Sequence, residues 1–323
     1  MLSQHPNQRL IWIDALRGMA AVLVFASHTV VTLQGERYVD WAYSYINVGH
    51  LGVILFFLIS GYIIPRSLRG GQMQFWLRRA FRLLPLYWLV LAYVALILTP
   101  WTDWYNVVIN VAMLTTLIGA PAMVGVGWSL SVELVWYGLI SVLVALRLDR
   151  RNVEVWIVLS TLVIVSEVFL PAMTGHHIPV VAIYLPVFWA GLLIERWQQE
   201  DISGQLAWGL YAVSLGLLVV LPGMVPGYTT ARVLAFVIFA VVVQWGRHWH
   251  WPRWVIWTGE RSYSIYLIHD YVLAFKLVAQ PVTMVVVWWL TTFLLSELTW
   301  RIVESPSVTI GKSFKLDKNR PSL

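Results

Sequence analysis

Leu10–Leu33 reads LIWIDALRGMAAVLVFASHTVVTL. About 20 apolar residues suffice to cross a bilayer as a helix, and this run is long enough. It nevertheless contains Asp14, Arg17 and His28. An ionisable side chain in hydrocarbon costs roughly 2.5–3.5 kcal/mol on insertion scales, so such groups are kept for function or pairing. Arg17 and His28 are 11 residues apart, a rotation of about 1100° and a net offset of about 20° on a helix. Their separation along the axis is about 16 Å. Asp14 is offset by about 40° the other way. One polar stripe therefore runs along one face of a membrane helix. A salt bridge to a neighbouring helix plus a satisfied histidine is the structural alternative.

The rest of the chain agrees with a membrane solvent. Of 323 residues, 59% are hydrophobic and 12% charged, against about 25% charged in a soluble domain, and mean hydropathy is +0.72. The 20 Trp and 14 Tyr suit interfacial belts. There is no cysteine, which excludes disulfides, thiolate catalysis and thiolate metal sites. Runs long enough to span lie near 10–33, 47–65, 80–99, 128–147, 153–171, 178–196, 205–222, 229–245, 262–279 and 282–302. The first is read as a retained helix, not a signal peptide.

The apolar run 104–119 decides the topology. If it is a short re-entrant or half helix, 18 of the 22 basic residues fall inside. Arg37 is then alone in an outer loop, with Arg17, Arg232 and Lys276 in spans or at their ends. The positive-inside rule selects this arrangement. The expectation is an all-α, polytopic membrane protein of about ten transmembrane helices plus one re-entrant or half helix. Both termini are cytoplasmic. Residues 1–310 form one integral-membrane domain, and 311–323 a basic, disordered cytoplasmic tail against lipid headgroups. The +6 charge is thus a topology signal, not a nucleic-acid footprint. No internal repeat is apparent.

Four constellations carry chemistry. With the N-terminus inside, Arg17 lies in the inner half of span 1 and His28 in the outer half. The inner loop Arg66–Arg82 holds five arginines and no acid. Arg78, Arg79 and Arg82 open span 3, where guanidinium forks and a helix N-terminus suit phosphate. Anchoring explains their position, but their density and exclusion of lysine point further to an anion. Gly127-Trp-Ser-Leu-Ser-Val-Glu133 puts Ser129 and Glu133 on one face, and Glu133 is at a depth to approach His28, either as its orienting carboxylate or as a structural helix partner. Ser262, Tyr266 and His269 form a stripe at i, i+4, i+7, as ligand contacts or as polar glue between helices. Glu297 and Arg301 are spaced to pair, and Glu304-Ser-Pro306 reads as the cap of the last span. His176-His177 lack a third ligand, and no metal is expected.

These motifs, in order along nearly the whole chain, resemble the acyltransferase-3 family of bacterial membrane acyltransferases. Ala15-Leu-Arg-Gly18 followed by His28 is similar to its Arg-x10-His signature, and Arg79 and Arg82 in Phe75–Trp88 to its Arg-x-x-Arg element. Leu55–Tyr62, Trp128–Glu133 and Ser262–His269 complete the set. The sequence departs at Leu134, where many relatives have a second Glu, and at Asp270, where other residues are common.

The resemblance implies a ten-helix fold in the bacterial cytoplasmic membrane. It implies a stand-alone transferase without a fused esterase-like domain. The implied reaction moves an acyl group, usually acetyl, from cytoplasmic acyl-CoA to a hydroxyl of an envelope or exported glycan, free or lipid-linked. No permanently bound cofactor is implied, since acetyl-CoA or another acyl-CoA is a co-substrate. Arg78, Arg79 and Arg82 would bind its phosphates, and Arg17 would line the pantetheine path. His28 would be the general base, its ordinary pKa of about 6.5 suiting that task. Glu133 or Asp14 would balance or orient the site, and Ser129, Ser262, Tyr266 and His269 would support it or contact substrate. The rival class is a proton-coupled transporter or flippase of a polar glycan, which would also use intramembrane charges. The five-arginine loop has no role there. A purely structural envelope protein needs no polar stripe.

Overall fold

The computed structural model describes residues 10–68, 70–98, 104–148, 152–165, 181–220, 225–275 and 280–314. Among them there is no strand. The helices are α1 (Ile11–Gln34), α2 (Glu36–Ser44), α3 (Val48–Leu68), α4 (Gln72–Tyr93), α5 (Trp104–Val111), α6 (Thr115–Ile118), α7 (Gly127–Ala145) and α8 (Asn152–Ile164). They continue with α9 (Val181–Gln198), α10 (Gly204–Val220), α11 (Pro226–Trp245), α12 (Arg253–Glu260), α13 (Ser262–Leu273), α14 (Pro281–Thr299) and α15 (Ser305–Ser313).

Six described helical stretches are long and apolar enough to cross a membrane: α1, α3, α4 with its extension, α7, α11, and α14 with its continuation. Apolar helices at Val153–Val163 and Gly204–Val220 are shorter. Of the ten expected spans, the run 153–171 is described only to 165 and 262–279 only to 275. The run 104–119 is broken into α5 and α6, of 8 and 4 residues, each far short of the 20 needed to span. His176, His177 and Glu167 lie outside the described residues.

Helix α3 is the hub. Of its apolar window 78% is buried, against 22% for the α14 stretch, and it packs on α1, α9 and α11. Small residues permit this closeness, as expected where packing rather than the hydrophobic effect joins membrane helices. A Cβ on Gly61 of α3 would stand 1.9 Å from the Phe188 carbonyl oxygen of α9, and one on Gly191 would stand 2.2 Å from that of Leu58. The same device joins α1 to α12, where a Cβ on Gly259 would meet the Asp14 carbonyl at 1.8 Å. The short connection from α3 to α4 turns at Gly71, whose φ of 107° is open to glycine and strained for other residues. It delivers the arginine-bearing start of α4 beside the end of α3.

Two departures from the sequence expectation affect the site. The end of α14 passes through a π-helical turn, Trp300–Glu304. This turn brings Glu304 inside, 4% exposed, where it accepts a hydrogen bond from Ser264 Oγ at 2.8 Å; it does not cap a helix end. The tail does not begin at 311: α15 runs on to Ser313 and packs on α4, Gly311 lying against Phe81 and Arg78. Phe314 stacks on Phe81 at 5.4 Å. Residues 315–323 are outside the described set.

Candidate active site

Helix α1 reaches two chambers. Nearer its start, Arg17 lines a narrow cavity of about 90 Å³ with Arg79 and Arg82 from α4, Glu133 from α7, and Ser262 and Tyr263 from α13. Nearer its end, His28 lines a larger cavity of about 550 Å³ with Asp270, His50, Asn47, Trp128, Tyr184 and Tyr228. Val53 and Tyr266 line both, so they form the wall between them. Arg17 and His28 are separated by about 16 Å along α1, taking its rise of about 1.5 Å per residue.

The arginine-lined chamber is a charge cluster. Arg79 lies over the rings of Phe75 (5.7 Å) and Tyr137 (5.4 Å), which fixes a flexible side chain by cation–π contact. Arg82, Asp14, Glu304 and Glu133 all act on Arg17 electrostatically. Glu133 accepts from Ser60 Oγ at 2.5 Å. Ser262 is fully buried, its Oγ without a partner among the described residues. Arg78 is exposed and does not line the chamber, so the three expected phosphate ligands of α4 divide into two inward arginines and one outward. Glu304, expected as a helix cap, joins this cluster from the π-turn instead.

In the histidine-lined chamber the carboxylate at His28 is Asp270, not Glu133. His28 Nδ1 is 2.5 Å from Asp270 Oδ1 and 3.1 Å from His269 Nε2. A carboxylate facing Nδ1 selects the Nδ1–H tautomer and leaves Nε2 with its lone pair. His269 is fully buried and its Nδ1 faces the Ile265 carbonyl at 3.1 Å, so that nitrogen carries a proton. Its Nε2 stands 3.2 Å from Asp270 Oδ1. Phe25 packs beside His269 (5.6 Å) and stacks on Trp289 (4.6 Å), which seals this corner with apolar surface. The three polar atoms lie within 4.8 Å of one another. Ligands of a tetrahedral zinc would stand roughly 3.3 Å apart, whereas the His28–Asp270 separation is that of a charge-assisted hydrogen bond.

Tyr266 closes the wall. Ser129 Oγ is 3.0 Å from the Val126 carbonyl and 2.7 Å from Tyr266 Oη. One arrangement satisfies both: Ser129 donates to the carbonyl and Tyr266 donates to Ser129. Ser262, Tyr266 and His269 thus form one stripe that passes from one chamber to the other. The corner between α12 and α13 is held by Arg261, which donates to Glu297 and to Glu260 (2.7 Å) and lies over Trp300 at 4.1 Å. Glu297 also takes the Arg301 Nε–H at 2.5 Å, the pairing its spacing foretold.

Membrane-length helices around a half-buried arginine cluster, with a carboxylate-bound imidazole behind a shared wall, define a multi-pass membrane protein built for polar chemistry. Its family is that of the acyltransferase domain, acyltransferase-3, whose model matches residues 10–308; the chain belongs to it. It is similar to "Putative peptidoglycan O-acetyltransferase YrhL" of Bacillus subtilis (strain 168), with 24% identity over 372 aligned positions covering 95% of this chain. The chain spans 56% of that relative's length. No solved structure matches.

Proposed function

We propose that the protein is a membrane O-acyltransferase that moves an acyl group, acetyl by preference, from cytoplasmic acyl-CoA to a hydroxyl of an envelope or exported glycan. The carrying observation is α1 itself: one helix places Arg17 in the arginine-lined chamber and His28 in the other. The arginine-lined chamber faces the cytoplasm in this assignment, in accord with the positive-inside rule. The relative's printed name supports acetyl as the group and a cell-wall glycan as the acceptor class.

Arg79 and Arg82 bind CoA phosphates by bidentate, charge-assisted contacts. The pantetheine arm passes Arg17 and the Tyr266 wall toward His28, a path of about 16 Å at ~1.5 Å per residue of α1. Asp270 holds His28 with Nε2 free. His28 Nε2 takes the proton of the acceptor hydroxyl as its oxygen attacks the thioester carbonyl. The carbon–sulfur bond breaks, the proton passes to the departing sulfur, and the products are an ester and CoA thiol. Asp270 stabilises the transient imidazolium. Glu133 and Glu304 balance the arginine charge, so neither is the base.

The test is purified protein in lipid with radiolabelled acetyl-CoA and a membrane glycan fraction. Labelled glycan is expected, and loss of transfer in His28→Ala with acetyl-CoA binding retained. Transport of glycan without acetyl-CoA binding would return the protein to the transporter class.

A further inference from the structure

The histidine-lined chamber holds a second imidazole. His50 stands in the first turn of α3, where Asn47 caps the helix by accepting the His50 backbone N–H at 2.8 Å. A Cβ on Gly49 would lie 3.0 Å from Ser27 Oγ, so residues 49–50 of α3 are level with 27–28 of α1. Both imidazoles line the one cavity, and they are held differently. His28 is tied to Asp270. His50 is 7% exposed, and its ring packs edge-on to Tyr228 at 4.7 Å and against Tyr184 at 6.0 Å. Its Nε2 has no hydrogen-bond partner among the described residues. An unmatched buried nitrogen is costly. At the edge of a cavity, a ligand that supplies the missing partner removes that cost.

The charge of the chamber narrows the ligand. Its lining contains neither Lys nor Arg, and its one carboxylate is Asp270. An acidic group would meet the Asp270 charge with no cation beside it. Trp128, Tyr184 and Tyr228 form an aromatic corner, the rings of Trp128 and Tyr184 standing 5.8 Å apart. Such a corner suits the C–H face of a sugar ring. The volume of about 550 Å³ falls within the roughly 300–1,000 Å³ of small-ligand sites. We infer, on the acyl-transfer reading above, that the acceptor enters as a neutral sugar residue and that His50 binds it. The His50 ring hydrogen-bonds one hydroxyl or acetamido group of that residue, while a second hydroxyl faces His28 Nε2. His50 thus selects and orients the acceptor and takes no part in the proton transfer.

The experiment separates acceptor from donor. Purified protein in lipid is given radiolabelled acetyl-CoA and increasing amounts of a membrane glycan fraction, and acetyl-CoA affinity is measured on the same preparation. In His50→Phe the apparent KM for the glycan is expected to rise about tenfold, with acetyl-CoA affinity within about twofold. His50→Gln keeps a donor and an acceptor, and its KM is expected to stay within about threefold of the parent's. A glycan fraction whose carboxylates have been converted to methylamides is expected to accept label with unchanged KM. Should His50→Phe fail to bind acetyl-CoA, Tyr228→Leu replaces it and is expected to raise the same KM. The inference is overturned if KM is unmoved in the variant that binds acetyl-CoA, if His50→Gln is as impaired as His50→Phe, or if blocking the carboxylates abolishes acceptance. Absence of acetyl-CoA binding in the parent sinks the acyl-transfer reading. Binding and transfer with an unmoved KM sink the acceptor inference alone.

Discussion

The two chambers differ in how they are furnished. The arginine-lined one encloses about 90 Å³, and its charges restrain one another across α1, α4 and α7. The histidine-lined one encloses about 550 Å³ between aromatic walls, with a His50 Nε2 that has no partner among the described residues. A tight charged passage selects an extended, anionic arm; a roomy aromatic one accepts a bulky partner. On the proposed reading, selection for donor and acceptor is separated in space, with His28 on the acceptor side of the wall.

The largest effect is expected from His28→Ala. Loss of a general base costs roughly 10²–10⁴ in rate, while acetyl-CoA affinity stays within about twofold. Equal turnover in the variant would remove His28 from the chemistry. Next comes Arg79→Ala with Arg82→Ala. Charge-assisted hydrogen bonds contribute about 1.5–3 kcal/mol each, so acetyl-CoA should bind at least tenfold more weakly in a filter assay, with a shallower salt dependence. Affinity indistinguishable from the parent would reduce these arginines to topology signals and dissolve the contrast between chambers.

Asp270→Asn keeps the size but not the charge opposite His28. We expect roughly a 10²-fold loss of transfer with donor affinity retained, partly restored in Asp270→Glu. A full-rate Asp270→Asn would hand the orienting role to His269. The smallest effect belongs to the wall. Tyr266→Phe removes one hydrogen bond to Ser129, about 1 kcal/mol, and should lower coupled transfer several-fold. Acetyl-CoA hydrolysis should rise in parallel as water gains access, and a fall in both activities would instead mark Tyr266 as structural.

The parts of this arrangement that were legible in the sequence are local. The stripe on α1 follows from helical rotation, and the arginine-bearing start of α4 from the density of arginine there, though not the division between Arg78 and the inward pair. Apolar runs likewise marked the long helices. What could not be read is set by packing between distant segments. His28 meets Asp270 across 242 residues because α1 packs on α13, whereas depth along the spans points to Glu133. Asp270 did stand out as a departure beside His269, and that oddity was the available signal. Arg78 could not be separated from its neighbours without the position of α15. That Arg232 meets no carboxylate among the described residues and donates to the Leu218 carbonyl appears only once its surroundings are known.

The π-helical turn at Trp300–Glu304 holds one residue more than an α-helical turn would. Glu304 beside the arginines and Gly311 against Phe81 both depend on that extra residue. Deleting any one residue from the turn would rotate everything after it by about 100°, withdrawing a carboxylate from one chamber and lifting α15 off α4 together. Length in this short segment is therefore under tighter constraint than composition, and a single-codon deletion there should be more harmful than most substitutions.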